Sequence, residues 1–391
     1  TNTWSAGLAW NLHNEAFIKG NLDWFDLLKL RASIGNPGNQ NFSAYQTYTT
    51  YAFSNRQRNY FEPAVLLSGL GNPDLEWQTT MDRNIGMDLA FFGNKVMLNI
   101  DYYNKKTDPV LADISIPSSV GVTSVLTNVG EQTSKGLNGT LTVSPVYRPA
   151  DRVIWSIRYN FRTEKSRYDK IGNKLDKFNE NGSNTNLKRY FDGASPDDLY
   201  AVRSAGIDPA SGNEIFIKKD GTYTLDYSYE DEVKIGVDRP KIEGIFGTSF
   251  TYKGFSCNVD FRYRCGGQMF NSALYDKVEN ISANDLNYNQ DKRALYNRWT
   301  TPGQQAEYKK ISLTSTTPMS SRFVQDDNTL SLESLRVGYE FDSKQISRLG
   351  LRSLRLNAYM NDVFKISSIK TERGIEYPFA RSVSFSVSAS F

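Results

Sequence analysis

No run in this chain approaches the roughly 18–20 consecutive apolar residues of a membrane-spanning helix, which excludes helical insertion. Cysteine is nearly absent. On one extended strand, the two present, Cys257 and Cys265, would stand roughly 26 Å apart at about 3.3 Å per residue. A disulfide needs Cα atoms within about 7 Å, so the pair says little about redox compartment. Histidine is scarcer still, with His13 alone. A Ser-His-Asp triad would have to use it, and three scattered His and Cys residues cannot supply a zinc site. No carboxylate spacing points to glycoside hydrolysis. Enzyme activity is not expected, and nothing calls for a metal or cofactor.

Charge lacks a block of one sign. The 46 basic and 43 acidic residues leave a net +3, which gives no electrostatic case for nucleic acid. A secretory leader is missing too, and the chain opens inside an alternating pattern at Thr3–Leu12. The expectation is a piece of a longer polypeptide.

Aromatics are plentiful, at 13% with 23 Tyr and 22 Phe, yet mean hydropathy is a polar −0.52. A membrane barrel reconciles the two, because lipid-facing residues alternate with wet interior ones. Alternation is indeed the main signal. From Ser382 to Phe391 every odd position is apolar and every even one is serine. In Ile154–Arg162, Trp155, Ile157, Tyr159 and Phe161 share a face opposite Arg158, Asn160 and Arg162. Phe255, Cys257, Val259, Phe261 and Tyr263 likewise oppose Asn258, Asp260, Arg262 and Arg264. Weaker cases are Trp4–Leu12, Leu28–Ile34, Ile85–Phe91, Val96–Tyr102, Leu137–Val143, Phe246–Tyr252, Leu335–Phe341 and Leu354–Met360. Together they predict about eleven strands of roughly 8–13 residues, the length of a tilted membrane strand.

Connections carry a second pattern. Gly93-Asn94, Lys253-Gly254 and Tyr147–Asp151 read as tight turns, whereas Pro37–Trp77, Thr107–Lys135, Ser166–Glu243, Gly267–Thr329 and Asp362–Arg381 read as long loops. Long and short alternate, as between the two sides of an outer membrane. His13–Asp26 is the one misfit. Counted back from the end, the final strand runs inward and puts Phe391 at the periplasmic face. A soluble, secreted glycan-binding β-sandwich also has alternating strands, but seldom tolerates a loop as long as Ser166–Glu243. Single-chain bacterial barrels have even strand counts. Eleven strands with five charged interior positions therefore fit half of a wide, plugged barrel of about 22 strands. The fold class expected is all-β, a transmembrane antiparallel barrel with long extracellular loops.

Seven motifs then stand in order along the chain. Leu28–Gln40 (LKLRASIGNPGNQ) and Asn72–Trp77 (NPDLEW) come first, followed by Asp101–Thr107 (DYYNKKT) and Asn128–Gly130 with Ser134–Gly136. Ser320–Phe341, Asn361–Phe364 and Tyr377-Pro378 complete the set. The chain resembles, over essentially its whole length, the SusC-like family of TonB-dependent transporters of Bacteroidetes-type bacteria. It departs from the family pattern at Ser134, where an Asn is usual, and at Asn138, where an acidic residue follows. The resemblance implies residues 1–391 as the C-terminal half of a 22-stranded barrel, with plug domain and N-terminal strands absent. It implies import of oligosaccharides or peptides, energised by TonB through the missing portion. A SusD-like surface lipoprotein would lid the mouth, and a dimer of transporter–lid pairs is left open. A passive porin is the rival within the membrane class.

Candidate residues follow. Arg158, Arg162, Asp260, Arg262 and Arg264 are expected to line the lumen, steering solute or, as the favoured reading, paired or hydrated. Tyr190, Phe191, Tyr275, Tyr288, Tyr296 and Trp299, all in long loops, could stack on a sugar or cover a peptide, or pack the loops. Phe391 is expected to act as the signal recognised during barrel insertion. Asp208–Asn213 reads as a turn, and Asp326–Asn328 as a solvated loop more plausibly than a calcium site.

Overall fold

The computed structural model describes residues 2–19, 24–39, 43–59, 62–341, 346, 350–370 and 380–390. Eleven long strands form one sheet: β1 (Trp4–Asn11), β2 (Phe25–Asn36), β3 (Gln78–Phe91), β4 (Val96–Asp108), β5 (Glu131–Arg148) and β6 (Val153–Asp169) in its first half. β7 (Ile242–Tyr252), β8 (Phe255–Phe270), β9 (Val324–Glu340), β10 (Ser353–Ser367) and β11 (Val383–Ser390) follow. Each pairs antiparallel with its neighbour in sequence, from β1 through to β11.

The predicted strands all form, and many run further than their alternation does. β6 outlasts the apolar row by seven residues' worth of pairing, from Thr163 to Asp169 against Leu137 to Glu131. Above the apolar band both faces are wet, so period-2 contrast disappears while backbone pairing continues. The loops are correspondingly shorter than expected, with 109–130 replacing Thr107–Lys135 and 170–241 replacing Ser166–Glu243. Asp326–Asn328, expected in a loop, is instead inside β9.

Short and long connections alternate along the sheet, although 12–24, the expected misfit, and 341–352 are not tight turns despite lying on the short-turn side. At the short end, the 92–95 turn uses left-handed φ at Phe92, Gly93 and Asn94 (57°, 70° and 62°). The two-residue turn at 253–254 has Lys253 at φ 54°, in the left-handed region. Ser390 pairs with Ser353 at this same end. Phe391 lies outside the described residues, as do Tyr377 and Pro378.

Few apolar side chains of the wall are buried. The hydrophobic clusters sit at the long-loop end: Val129, Tyr168, Ile171 and Leu175 form one, and Leu187, Leu199 and Ala201 another. The long connections are therefore folded, with small hairpins at Arg203–Ile207 and Glu214–Ile217 and a strand pair of Asp198–Ala201 with Val233–Val237. A one-turn helix spans Asp176–Asn181.

Candidate functional site

The two faces of the wall differ in kind. On one, apolar side chains stand open, with Leu8 75%, Ile85 64%, Val387 69% and Phe385 79% exposed. Exposure this extensive marks a surface covered by something apolar, here lipid. Aromatic rings collect near the short-turn end of that face, where Trp24, Phe25, Phe91 and Phe92 stack within 4.1–6.4 Å of one another. They match the interfacial girdle of a membrane barrel.

The other face is polar and internally compensated. Register puts Thr142, Arg158, Gly247, Asp260, Ser334 and Asn361 in one row across six strands. Arg158 Nη2 reaches Asp260 Oδ1 at 3.5 Å across β7. The Ser334 hydroxyl donates to Asp260 Oδ2 at 3.1 Å. Gly247 between them allows this bridge, since a Cβ there would sit 2.2 Å from Asp260 Oδ1. The row borders a cavity of about 560 Å³.

Further toward the long loops, Arg162 pairs with Glu164, which also accepts from the Tyr103 hydroxyl at 2.6 Å. Arg262 meets Glu333 at 3.3 Å, and Arg264 meets Asp327 at 3.0 Å and Glu243 at 4.0 Å. On the other flank Arg31 joins Asp88 at 2.9 Å and Asp101 at 3.0 Å. All five charged residues expected in the lumen thus lie on the polar face, in ion pairs within the wall itself. Glu164, Glu243, Asp327 and Glu333 were not anticipated, because cross-strand register is invisible in a single sequence.

The six loop aromatics do not converge. Tyr190 packs against Tyr168 and Phe178 at 5.7 and 5.6 Å. Tyr275 is buried, with its hydroxyl donating to the Thr317 carbonyl at 2.6 Å and its ring edge-on to Phe323 at 5.1 Å. Trp299 Nε1 donates to the Pro209 carbonyl at 2.8 Å. Its indole covers Gly212, whose φ of 70° and missing Cβ both make room. Gly212 belongs to the predicted Asp208–Asn213 turn, which forms: Ala210 and Ser211 N–H donate to the Asp208 carboxylate, both at 3.1 Å. Phe191 meets Tyr200 edge-on at 5.2 Å, while Tyr288 and Tyr296 are 75% and 64% exposed. Among the described residues no ring contact joins any two of the six.

A charged knot holds the 170–241 and 271–323 connections together, and sequence reasoning missed it. Arg322 Nη2 contacts Glu279 Oε1 at 2.7 Å and Glu214 Oε2 at 3.1 Å. Ser320 donates to Glu214 at 2.5 Å, and Thr317 to Glu279 at 3.3 Å. Burial opposes the Arg322 charge, but the hydrogen bonds it donates to Glu279 and the charges of both carboxylates outweigh it and raise its pKa. At Arg298 nearby, burial outweighs the opposing charge of Glu279 and lowers the pKa, and the guanidinium donates to the Ala294 and Lys309 carbonyls at 2.6 and 2.9 Å. A second buried pair, Arg189–Glu232, is bidentate at 2.6 and 2.7 Å.

An open antiparallel wall with a lipid face, a compensated polar face and folded loops at one end defines a segment of a transmembrane β-barrel. The chain belongs to the TonB-dependent receptor β-barrel family: the family model described as "TonB dependent receptor-like, beta-barrel" matches residues 1–359. It is SusC-like and an outer-membrane protein. TonB-dependent receptor P39 of Formosa agariphila is 25% identical, over 92% of this chain and 38% of that protein. TonB-dependent receptor SusC of Bacteroides thetaiotaomicron is 23% identical, over 97% of this chain and 39% of its own length. The chain thus spans about two fifths of the curated relatives it matches. Among solved structures, the RagAB peptide transporter has the same fold, with a TM-score of 0.78 at 22% identity over 94% of this chain and 40% of that one.

Proposed function

We propose that this chain forms the C-terminal half of the wall and extracellular vestibule of an active importer of oligosaccharides or peptides. The observation that carries the reading is the polar face beneath a folded loop assembly. There Arg158, Arg162, Arg262 and Arg264 pair with carboxylates of the wall, and Arg336 stands exposed without an ion pair among the described residues. Such a surface offers hydrogen bonds without a strong net field, which suits polar solutes of low net charge. The sheet ends in two edges, β1 and β11, and an unpaired edge cannot face hydrocarbon. The remaining strands of a roughly 22-stranded barrel would cover them, with a plug inside. In this reading TonB pulls on the missing portion, and a SusD-like lipoprotein closes over the loops. Exposed Phe191, Tyr288 and Tyr296 are the better placed for solute contact, and Tyr190, Tyr275 and Trp299 serve packing.

The test is uptake of a defined oligosaccharide and a defined peptide by cells carrying the full-length protein, with and without TonB. Uptake that stops without TonB supports the importer, and TonB-independent uptake makes it a passive porin. Deleting Phe391 tests the assembly role. Less folded protein in the outer membrane is expected, and unchanged levels sink that assignment.

A further inference from the structure

The outward face changes character abruptly toward the long loops. Its row Ile85, Tyr102, Leu137 and Thr163 is followed by the row Arg83, Asn104, Lys135 and Lys165, which continues the lipid face one step higher. Lys135 and Lys165 are direct cross-strand partners. Like charges set opposite each other destabilise a sheet, and among the described residues no carboxylate pairs with either. Arg83, Lys135 and Lys165 are all exposed, and none has an ion-pair partner among the described residues. Arg83 stands two strands from Lys135, about 10 Å at 4.8 Å per strand, within reach of two long side chains converging on one ligand.

The same two lysines border a cleft of about 1220 Å³, opened where β6 runs on past Arg162–Glu243, its last residue pair with β7. Lys241 borders it too and is also without an ion-pair partner among the described residues. The carboxylates of that cleft are already engaged. Glu164 is held by Arg162 and Arg239, Asp197 by Arg239 at 2.7 Å, and Asp198 by Lys234 at 2.6 Å. Asp326 accepts from the Gln268 amide at 3.1 Å. In the next row up, Arg167 is matched by Asp169 at 3.0 Å and Lys106 by Glu131. The surplus is therefore local and positive.

We propose that Lys135 and Lys165, flanked by Arg83 and Lys241, bind the phosphate of a phosphorylated lipid headgroup in the outer leaflet. Three observations select a lipid over a soluble anion. Arg83, Lys135 and Lys165 continue the apolar face and not the polar one, they begin where the apolar band ends, and the two lysines with Lys241 border a cleft that a headgroup could enter. Juxtamembrane cations attract anionic headgroups at this depth, and phosphate oxygens accept from several ammonium donors at once. The site needs only the outer-membrane placement, so its failure would leave the import reading untouched.

The full-length protein, delipidated in phosphate-free detergent, is titrated with phosphorylated lipid A and with its dephosphorylated form, and bound lipid is counted by native mass spectrometry. Phosphorylated lipid A is expected to bind at least tenfold more tightly. Lys135→Gln/Lys165→Gln should weaken it about twenty-fivefold, at roughly fivefold per lost cation. The exposed loop variant Lys219→Gln should bind normally, and Lys135→Arg/Lys165→Arg, which keeps the charge, should retain the lipid. Heat-modifiable migration on gels reports that each barrel is folded. Equal binding of both lipid forms, or full binding by the Gln pair, overturns the proposal. So does loss in the Arg pair when it is folded. Inorganic phosphate that binds as tightly as the lipid assigns the site to a free anion and overturns the lipid.

Discussion

The wall and the loop assembly use the same chemistry, arginine against carboxylate, in two different solvents. In the wall, Arg158 and Asp260 keep 55% and 31% of their side chains in water. In the loops, Arg322 keeps 14% and Glu279 none. An exposed pair contributes about 0–1 kcal/mol, whereas breaking a buried one strands a desolvated charge at a cost of about 3–5 kcal/mol. The wall is held by its backbone ladder and by lipid, so its ion pairs are free to set the character of the interior surface. The loops have only small apolar clusters, and their buried pairs pin connections that are far apart in sequence. Similar contacts therefore tune a surface in one region and hold a structure in the other.

The largest expected effect follows from that contrast. Arg322→Ala leaves Glu214 and Glu279 buried without their cation and should destabilise the loop assembly by about 3–5 kcal/mol. Amide exchange in 200–217 and 275–323 should accelerate while the strands of the wall stay protected; protection unchanged in those loops would erase the distinction between the two regions. The triple variant Arg322→Met/Glu214→Gln/Glu279→Gln should recover much of the loss. Gly212→Ala comes next, because it meets both a left-handed φ and the Trp299 ring. Overpacking of this kind costs about 1–3 kcal/mol, and a blue-to-red shift of Trp299 fluorescence with faster proteolysis of 297–310 would report it.

A pH effect of middle size is expected in the loops at the alkaline end. Burial, reinforced by Asp198, pushes the Tyr200 phenol from 10.0 up to about 12. The folded state then holds a proton that the unfolded state gives up. Its contribution is full below pH 10 and is lost as pH rises from 10 toward 12. Loop protection should fall across that window and the Tyr200→Phe variant should flatten the fall, with an unaltered profile counting against this cause. The smallest effect belongs to the wall. Arg158→Ala should change barrel stability by less than about 1 kcal/mol, with the consequence appearing instead in uptake of charged relative to neutral solutes. A stability loss as large as that of Arg322→Ala would break the comparison.

Legibility in the sequence followed the same division. Trp155 through Arg162 announced a strand because lipid and water demand opposite residues at alternate positions. Thr163 through Asp169 announced nothing, since water lies on both sides there, and Asp327 was misread for that reason. It sits 3% exposed in β9, holding Arg264. For Tyr275 and Trp299 the sequence left ligand contact and loop packing both open, because their role depends on Thr317 and Pro209, and on the folding of two separate connections.

By itself the sequence determined the strand count, the alternation of short and long connections, the two-faced wall and the kinship with TonB-dependent receptors. Those are written by rules of period two, local turn chemistry and motif order, each readable within a few residues. Only the tertiary structure decided which carboxylate meets which arginine, that the long connections are folded and not open loops, and that Lys135 lies opposite Lys165. These are matters of register and of contacts between residues far apart in sequence, 108 positions for Arg322 with Glu214. A one-residue slip in pairing would move every one of them to the other face.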